Sequence, residues 1–282
     1  MQITTVGVVG AGLMGAGIAE VAARAGCSVI LIDADANALT RGLARLQTSV
    51  NKAVEKGKLQ AAEAGPIVAR VRRGAAYDEL AQADLVIEAV YENMAVKKET
   101  FKKLDAIVKA DAILASNTSA LSVTEISAVT RRPEKVIGLH FFYPAPIMKL
   151  VEMVRGLATS DATYNQARAF IDKTGKTAVL AQDYPGFIVN RLLIPMINEA
   201  VFCVMEGAKP EDVDAAMKLG CGHPMGPLEL LDFVGLDVAL ATLNGIYEGM
   251  GDSKYRPCPL FVKMVEAGWL GRKSGRGFYS YK

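Results

Sequence analysis

The sequence predicts an α/β protein in two parts, a parallel-sheet domain over residues 1–184 and an all-helical C-terminal domain over residues 185–282. Three observations carry this. Short β-branched runs alternate with helical apolar patterns as far as residue 180, the order that builds a parallel sheet covered by helices. Beyond Tyr184-Pro185-Gly186 those runs stop and only helical patterns continue. Between the first two runs lies Gly10-Ala11-Gly12-Leu13-Met14-Gly15.

The first run covers residues 6–9. The glycine turn follows at once, then an apolar helical pattern through Ile18, Val21 and Ala22, then a second run over residues 28–32 that ends in Asp33. Strand, glycine turn, helix, strand and acid form the fingerprint of a Rossmann-like dinucleotide-binding unit. Gly10 permits a tight turn, Gly12 lets the backbone approach a pyrophosphate, and Gly15 lets the helix lie close on the sheet. Leu13 and Met14 complete the turn, where the helix N-terminus offers N–H groups to phosphate. Asp33 can accept hydrogen bonds from ribose hydroxyls and repels a 2′-phosphate, which favours NAD over NADP. A strand-end acid also reads as the N-cap of the next helix, a role Asp35 can fill instead.

A helical hairpin is expected over about residues 36–70. Leu39, Leu43, Leu46, Val50 and Val54 mark one face of its first helix. Arg41, Arg45, Lys52, Lys56 and the nearby Lys58 form a basic counterpart, either a solvated surface or the seat of a phosphate-rich ligand. Residues 84–90 are nearly all apolar, as buried parallel strands are, and Glu88 within them needs partners. Glu92-Asn93 opens a helix that runs through Lys97 to residue 108. The strand at 112–115 ends in Ser116-Asn117-Thr118-Ser119, at the sheet edge where open α/β folds bind ligands. A short helix at 122–128, a strand at 135–142 holding His140, a segment at 149–154 holding Glu152, a helix at 163–174 and a strand at 177–180 complete the domain. The second domain reads as helices at 187–206, 210–219, 227–250 and 260–267. Pro210 and Pro227 look like starts, and Gly207, Gly220 and Gly268 like stops.

Composition narrows the function classes. The 282 residues are 51% hydrophobic and carry a formal charge of +2, enough apolar material for two cores and no nucleic-acid footprint. No leader peptide and no membrane span is expected. Cys27, Cys203, Cys221 and Cys258 are dispersed, as reduced thiols of a cytoplasmic protein are. Two histidines make a zinc cluster an unpromising reading, and His223, in a turn between helices, reads as structural.

His140 is the main candidate for proton transfer, because imidazole titrates near neutral pH and this one ends a strand of the cofactor-binding sheet. Glu152 either orients that imidazole or pairs with Lys149. Ser119 either donates to a substrate oxygen or caps the next helix. Asn190, early in an apolar helix, needs polar partners that a site would supply.

Six segments together resemble the short-chain L-3-hydroxyacyl-CoA dehydrogenases: residues 7–15, 88–93, 116–119, 138–142, 185–191 and 271–279. The resemblance covers essentially the whole chain. It implies a catalytic pair at His140 and Glu152, completed by Ser119 and Asn190. It implies NAD contacts at Asp33, Glu92, Lys97, Asn117 and Lys273, and coenzyme A contacts on the hairpin at Ser49 and Lys56. It also implies an acyl-CoA thioester substrate and a homodimer formed through the helical domain. Tyr143 stands where some relatives carry asparagine, so no cofactor contact is assigned to it. No enoyl hydratase module is present, so the chain is expected to act alone. Two other readings stand beside this one: a free-acid dehydrogenase of the 3-hydroxyisobutyrate type, and a non-catalytic NAD-binding protein resembling the lens λ-crystallins. The first lacks a matching catalytic lysine motif here, and retention of His140 and Glu152 argues against the second.

Overall fold

The structure is a computed structural model and describes residues 2–281. The chain divides into two compact units, one ending at Asp183 and one beginning at Tyr184.

In the first unit the elements are β1 (Thr5–Val9), α1 (Leu13–Arg24), β2 (Ser28–Ile32), α2 (Ala36–Glu55), α3 (Ala61–Ala69), β3 (Val71–Arg73) and β4 (Leu85–Glu88). They continue with α4 (Met94–Ile107), β5 (Ile113–Ser116), α5 (Val123–Ser127), β6 (Val136–Phe141), β7 (Leu150–Arg155), α6 (Asp161–Lys173) and β8 (Thr177–Gln182). The strands form one sheet in the order β3-β2-β1-β4-β5-β6-β7-β8. Every neighbouring pair is parallel except β6–β7. The order reverses at β1, which pairs with both β2 and β4, and such a reversal opens a crevice at the carboxyl ends of the strands. The central strands read as near-continuous apolar runs because helices bury both faces. Val6, Val8, Leu31, Leu85, Ile87 and Leu139 are fully buried. Removing one such side chain to alanine costs about 2–5 kcal/mol.

The predicted α/β class and its helical hairpin are present. Three local features differ from the sequence expectation. The hairpin returns through β3, a three-residue edge strand whose Arg72 and Arg73 hide it from a hydrophobic pattern. The strand β7 runs antiparallel to β6. The β8 strand extends two residues past residue 180, to Gln182.

In the second unit α7 (Val189–Met205), α8 (Pro210–Cys221), α9 (Pro227–Val234), α10 (Leu236–Met250) and α11 (Pro259–Glu266) pack around Ile197, Val201, Leu231, Leu243 and Phe261. The helix expected over 227–250 is two helices. Gly235 adopts φ +102°, a backbone conformation closed to most L-residues, and the pieces on either side bend by 101°. The apolar pattern runs on through the break because both helices bury that face. Gly220 is not a stop. It lies inside α8, which ends at Gly222 in the left-handed conformation. Two buried carboxylates pin the C-terminal segment of this unit. Asp232 accepts the Phe278 and Tyr279 N–H groups, each at 3.0 Å, and Asp214 accepts the Tyr279 hydroxyl at 2.7 Å. Among the described residues no single helix is long and apolar enough to cross a membrane.

Candidate active site

The first part of the site is built by the turn after β1. Gly10 sits at φ +100°, and a Cβ there would lie 2.5 Å from the Ala89 carbonyl oxygen. A Cβ on Gly15 would lie 1.7 Å from the Gly10 oxygen, so α1 can start this close to the sheet only with glycine. Gly12 is different: a Cβ there meets nothing within 4 Å. The protein's own packing does not require that glycine, and the open space is what a cradle for a pyrophosphate needs. The N-terminus of α1 has no side-chain cap and no acid in its first turn, so its N–H groups at Leu13 and Met14 suit an anion. Asp33 does not cap α2; Asp35 does, accepting the Asn37 N–H at 2.8 Å. Asp33 instead accepts the Ala11 N–H at 2.7 Å and the Asp35 N–H at 2.8 Å, bracing the glycine turn. These residues fit a dinucleotide.

Three more parallel strands, β4, β5 and β6, end at the same edge of the sheet as this turn. On β6, His140 is buried and its Nδ1 lies 2.7 Å from Glu152 Oε2 on β7. The antiparallel register sets the two residues directly opposite each other. Nearest-neighbour positions on adjacent strands bring side chains on one face into contact, so the β6–β7 reversal decides the pairing that the sequence left open with Lys149. A carboxylate accepts only, so Nδ1 carries the proton toward Glu152 and Nε2 is the basic nitrogen of the neutral ring.

In the turn after β5, Ser119 is not a helix cap. Ser122 caps α5, and Asp183 reinforces that cap by accepting the Val123 and Thr124 N–H groups. The Ser119 N–H donates to Glu92 Oε1 at 2.8 Å and its hydroxyl lies 3.3 Å from the same oxygen. Thr118 Oγ1 and the Ala120 N–H share that oxygen. Burial alone would raise the Glu92 carboxyl, but the Lys97 ammonium and the donors of Thr118 and Ser119 outweigh it and hold it below the usual carboxylate range. Lys97, on α4, is itself buried, with its ammonium 3.2 Å from Glu92. Asn117 accepts the Phe141 N–H at 3.0 Å, which ties β5 to the residue after His140.

A groove of about 1090 Å³ adjoins the glycine turn. Leu13, Gly17 and Glu20 of α1 line one wall, Ser49, Lys52 and Lys56 of α2 another, and Tyr143, Ile147 and Lys149 a third. The basic face of the hairpin is therefore the rim of a groove and not only a solvated surface. Glu20, an acid in this groove that sequence reasoning passed over, pairs with Arg24 at 2.6 Å. Burial raises its carboxyl despite the Ser49 hydrogen bond and the Arg24 charge. An isolated acid within the alanine-rich α1 was the available signal.

Asn190 and Lys273 lie in the second unit. Asn190 is the second residue of α7, and the Lys273 ammonium is held by Asp237 at 2.6 Å.

Comparison with known proteins finds matches over essentially the full chain. Residues 5–184 match the 3-hydroxyacyl-CoA dehydrogenase NAD binding domain, and residues 186–281 match the 3-hydroxyacyl-CoA dehydrogenase C-terminal domain. A probable 3-hydroxybutyryl-CoA dehydrogenase of Bacillus subtilis is 54% identical over 283 residues, covering 100% of this chain and 99% of that protein. A 3-hydroxybutyryl-CoA dehydrogenase of Bradyrhizobium diazoefficiens is 50% identical, covering 99% of this chain and 96% of the relative. The crystal structure of (S)-3-hydroxybutyryl-CoA dehydrogenase from Ralstonia eutropha superposes with a TM-score of 0.97 at 46% identity, each chain fully covered. Fold, glycine turn and matches place the molecule among the NAD-dependent dehydrogenases. Within that class the chain belongs to the 3-hydroxyacyl-CoA dehydrogenase family.

Proposed function

We propose that the protein reversibly interconverts (S)-3-hydroxybutyryl-CoA and acetoacetyl-CoA, with NAD as cofactor and His140 as general acid and base. The single observation that carries this reading is the buried His140–Glu152 pair at 2.7 Å, on the sheet that also carries the glycine turn. NAD, when bound, supplies the hydride acceptor or donor for C3. The chain's residues do the rest. In oxidation His140 Nε2 takes the C3 hydroxyl proton, and in reduction it returns a proton to the carbonyl oxygen. Glu152 holds the ring's orientation and stabilises the imidazolium. Ser119 and Asn190 position the reacting oxygen and the thioester end.

Gly10, Gly12, Leu13, Met14 and Gly15 would seat the pyrophosphate, and Asp33 the adenine-side ribose. Glu92, Lys97, Asn117 and Lys273 complete the cofactor contacts. The rim at Ser49 and Lys56 takes the coenzyme A. The near-neutral formal charge favours an enzyme without a nucleic-acid partner, and a cytoplasmic location without a membrane partner is part of the same proposal. Exposed Leu192, Leu219, Phe233 and Val238 support a homodimer through the helical unit.

The test is loss of NADH absorbance on adding acetoacetyl-CoA, with free acetoacetate and NADPH in parallel. Rapid loss with NADH and the thioester alone is expected. Equal turnover of free acetoacetate would move the substrate class to free acids.

A further inference from the structure

The end of β4 carries a fully buried acid that none of the roles above uses. Glu88 is 0% exposed. Its Oε1 accepts the Val90 N–H at 2.8 Å and the Lys97 ammonium at 2.7 Å, and its Oε2 accepts the Ser116 hydroxyl at 2.7 Å. Two chains of contacts leave it. One runs through Lys97 to Glu92 and on to Thr118, Ser119 and Ala120. The other runs through Ser116, whose oxygen accepts the Thr118 N–H at 3.2 Å. Both end on the same turn. The Glu88 backbone oxygen also accepts the Asn117 N–H at 2.8 Å.

Charge explains why an acid is needed there. Glu88, Lys97 and Glu92 together hold two negative charges and one positive. With Glu88 buried against Lys97, the surplus negative charge sits on Glu92, whose side chain is 38% exposed. Without Glu88, Lys97 would pair with Glu92 alone, and that pair, with no net charge, would draw the carboxylate inward and weaken it as an acceptor for ligand hydroxyls. A buried ion pair is seldom a net source of stability but holds a geometry well when all its lone pairs are used.

We propose that Glu88 is a positioning residue for the reaction: by sharing Lys97 it leaves net negative charge at the Glu92 end, toward the cofactor, and it sets the turn that presents Ser119. This rests on the reading above, in which Glu92 and Ser119 face cofactor and substrate. Glu88→Gln keeps the shape and can keep the hydrogen bonds, since the Ser116 hydroxyl can rotate to accept from the amide. It removes only the charge. The expected result is an NADH Kd raised about tenfold, the scale of a lost charged hydrogen bond, and a several-fold lower kcat at saturating substrates. The pH profile of kcat should keep its wild-type midpoint, because the His140–Glu152 pair is untouched. Ser116→Ala cuts only the second chain and should raise the NADH Kd to a smaller extent.

The experiment is NADH fluorescence titration, steady-state kinetics and thermal unfolding on the full chain and both variants. A lower Tm with wild-type NADH Kd and kcat in Glu88→Gln would overturn the proposal, because a purely structural acid gives that pattern. If Glu88→Gln does not fold, Ser116→Ala decides, and wild-type Kd and kcat there overturn it equally. Failure of the parent protein to reduce acetoacetyl-CoA would sink the functional reading instead, while the NADH titration still judges Glu88.

Discussion

The two ends of one sheet use buried carboxylates for opposite purposes. At the amino end Asp84, just before β4, accepts the Thr4 and Thr5 N–H groups at 2.8 and 2.9 Å and the Lys109 ammonium at 2.6 Å. Its other partner is the Thr4 hydroxyl, so its charge serves to close the amino end of the sheet around β1 and β4. At the carboxyl end Glu152 holds the His140 imidazole, and Glu88 holds a lysine that steers a second acid. The lesson is that burial of an acid does not by itself distinguish scaffold from site. What distinguishes them is whether a titratable partner leads on to further site residues, as Lys97 leads from Glu88 to Glu92.

The comparison can be broken by substitution, and the largest effect is expected at the imidazole. His140→Ala should lower kcat by about 10²–10⁴-fold, the scale of a lost general acid or base, with Tm close to wild type. A folded variant with wild-type turnover would remove His140 from the mechanism. At the groove rim, Lys56→Ala should raise KM for acetoacetyl-CoA by about tenfold, as for a lost charge-assisted contact to phosphate. The difference should shrink as salt is raised, and an unchanged KM at low salt would contradict the placement of coenzyme A there. Asp33→Ser should narrow the preference for NADH over NADPH by several-fold, read as the ratio of kcat/KM values. The effect should be modest in absolute rate, because the same carboxylate also braces the Ala11 and Asp35 N–H groups.

The smallest effect sharpens the other side of the comparison. Burial alone would raise the Asp84 carboxyl, but Lys109 and the N–H groups of Thr4 and Thr5 hold it at about 2, from an ordinary 3.8. A carboxyl depressed in the folded state contributes stability above its unfolded value, and loses it as pH falls through the folded one. Its contribution of about 2 kcal/mol should therefore be present above about pH 4 and disappear toward pH 2. Acid titration of the Asp84→Asn variant should show a shallower loss of stability across that window, and identical slopes would contradict the assignment.

Much of this was legible in the sequence. The glycine turn and Asp33 announce themselves because each position answers a steric or electrostatic demand of a dinucleotide. The His140–Glu152 pair was only half legible. Twelve residues separate the two in sequence, and nothing in composition shows that β7 reverses beside β6. Register alone makes them neighbours. Lys97 reads as an ordinary polar position on a helix, and only the packed structure turns it inward to Glu88. Gly235 was hidden for a related reason: the apolar face continues on both sides of the bend, so periodicity does not see it. Asp35 and Ser122, by contrast, took the capping roles that had competed for Asp33 and Ser119, because each stands directly before its helix.

The account's central claim is this division between the two ends of the sheet, and one paired measurement tests it most directly: kcat for acetoacetyl-CoA reduction and Tm, in Glu152→Gln and Asp84→Asn side by side. Glu152→Gln should lose about 10²-fold in kcat, as when the partner that orients a reactive histidine is neutralised, and keep its Tm. Asp84→Asn should keep kcat and lose about 4–8 °C in Tm. Wild-type kcat in the first variant, or a lowered kcat in the fully folded second, would contradict the claim.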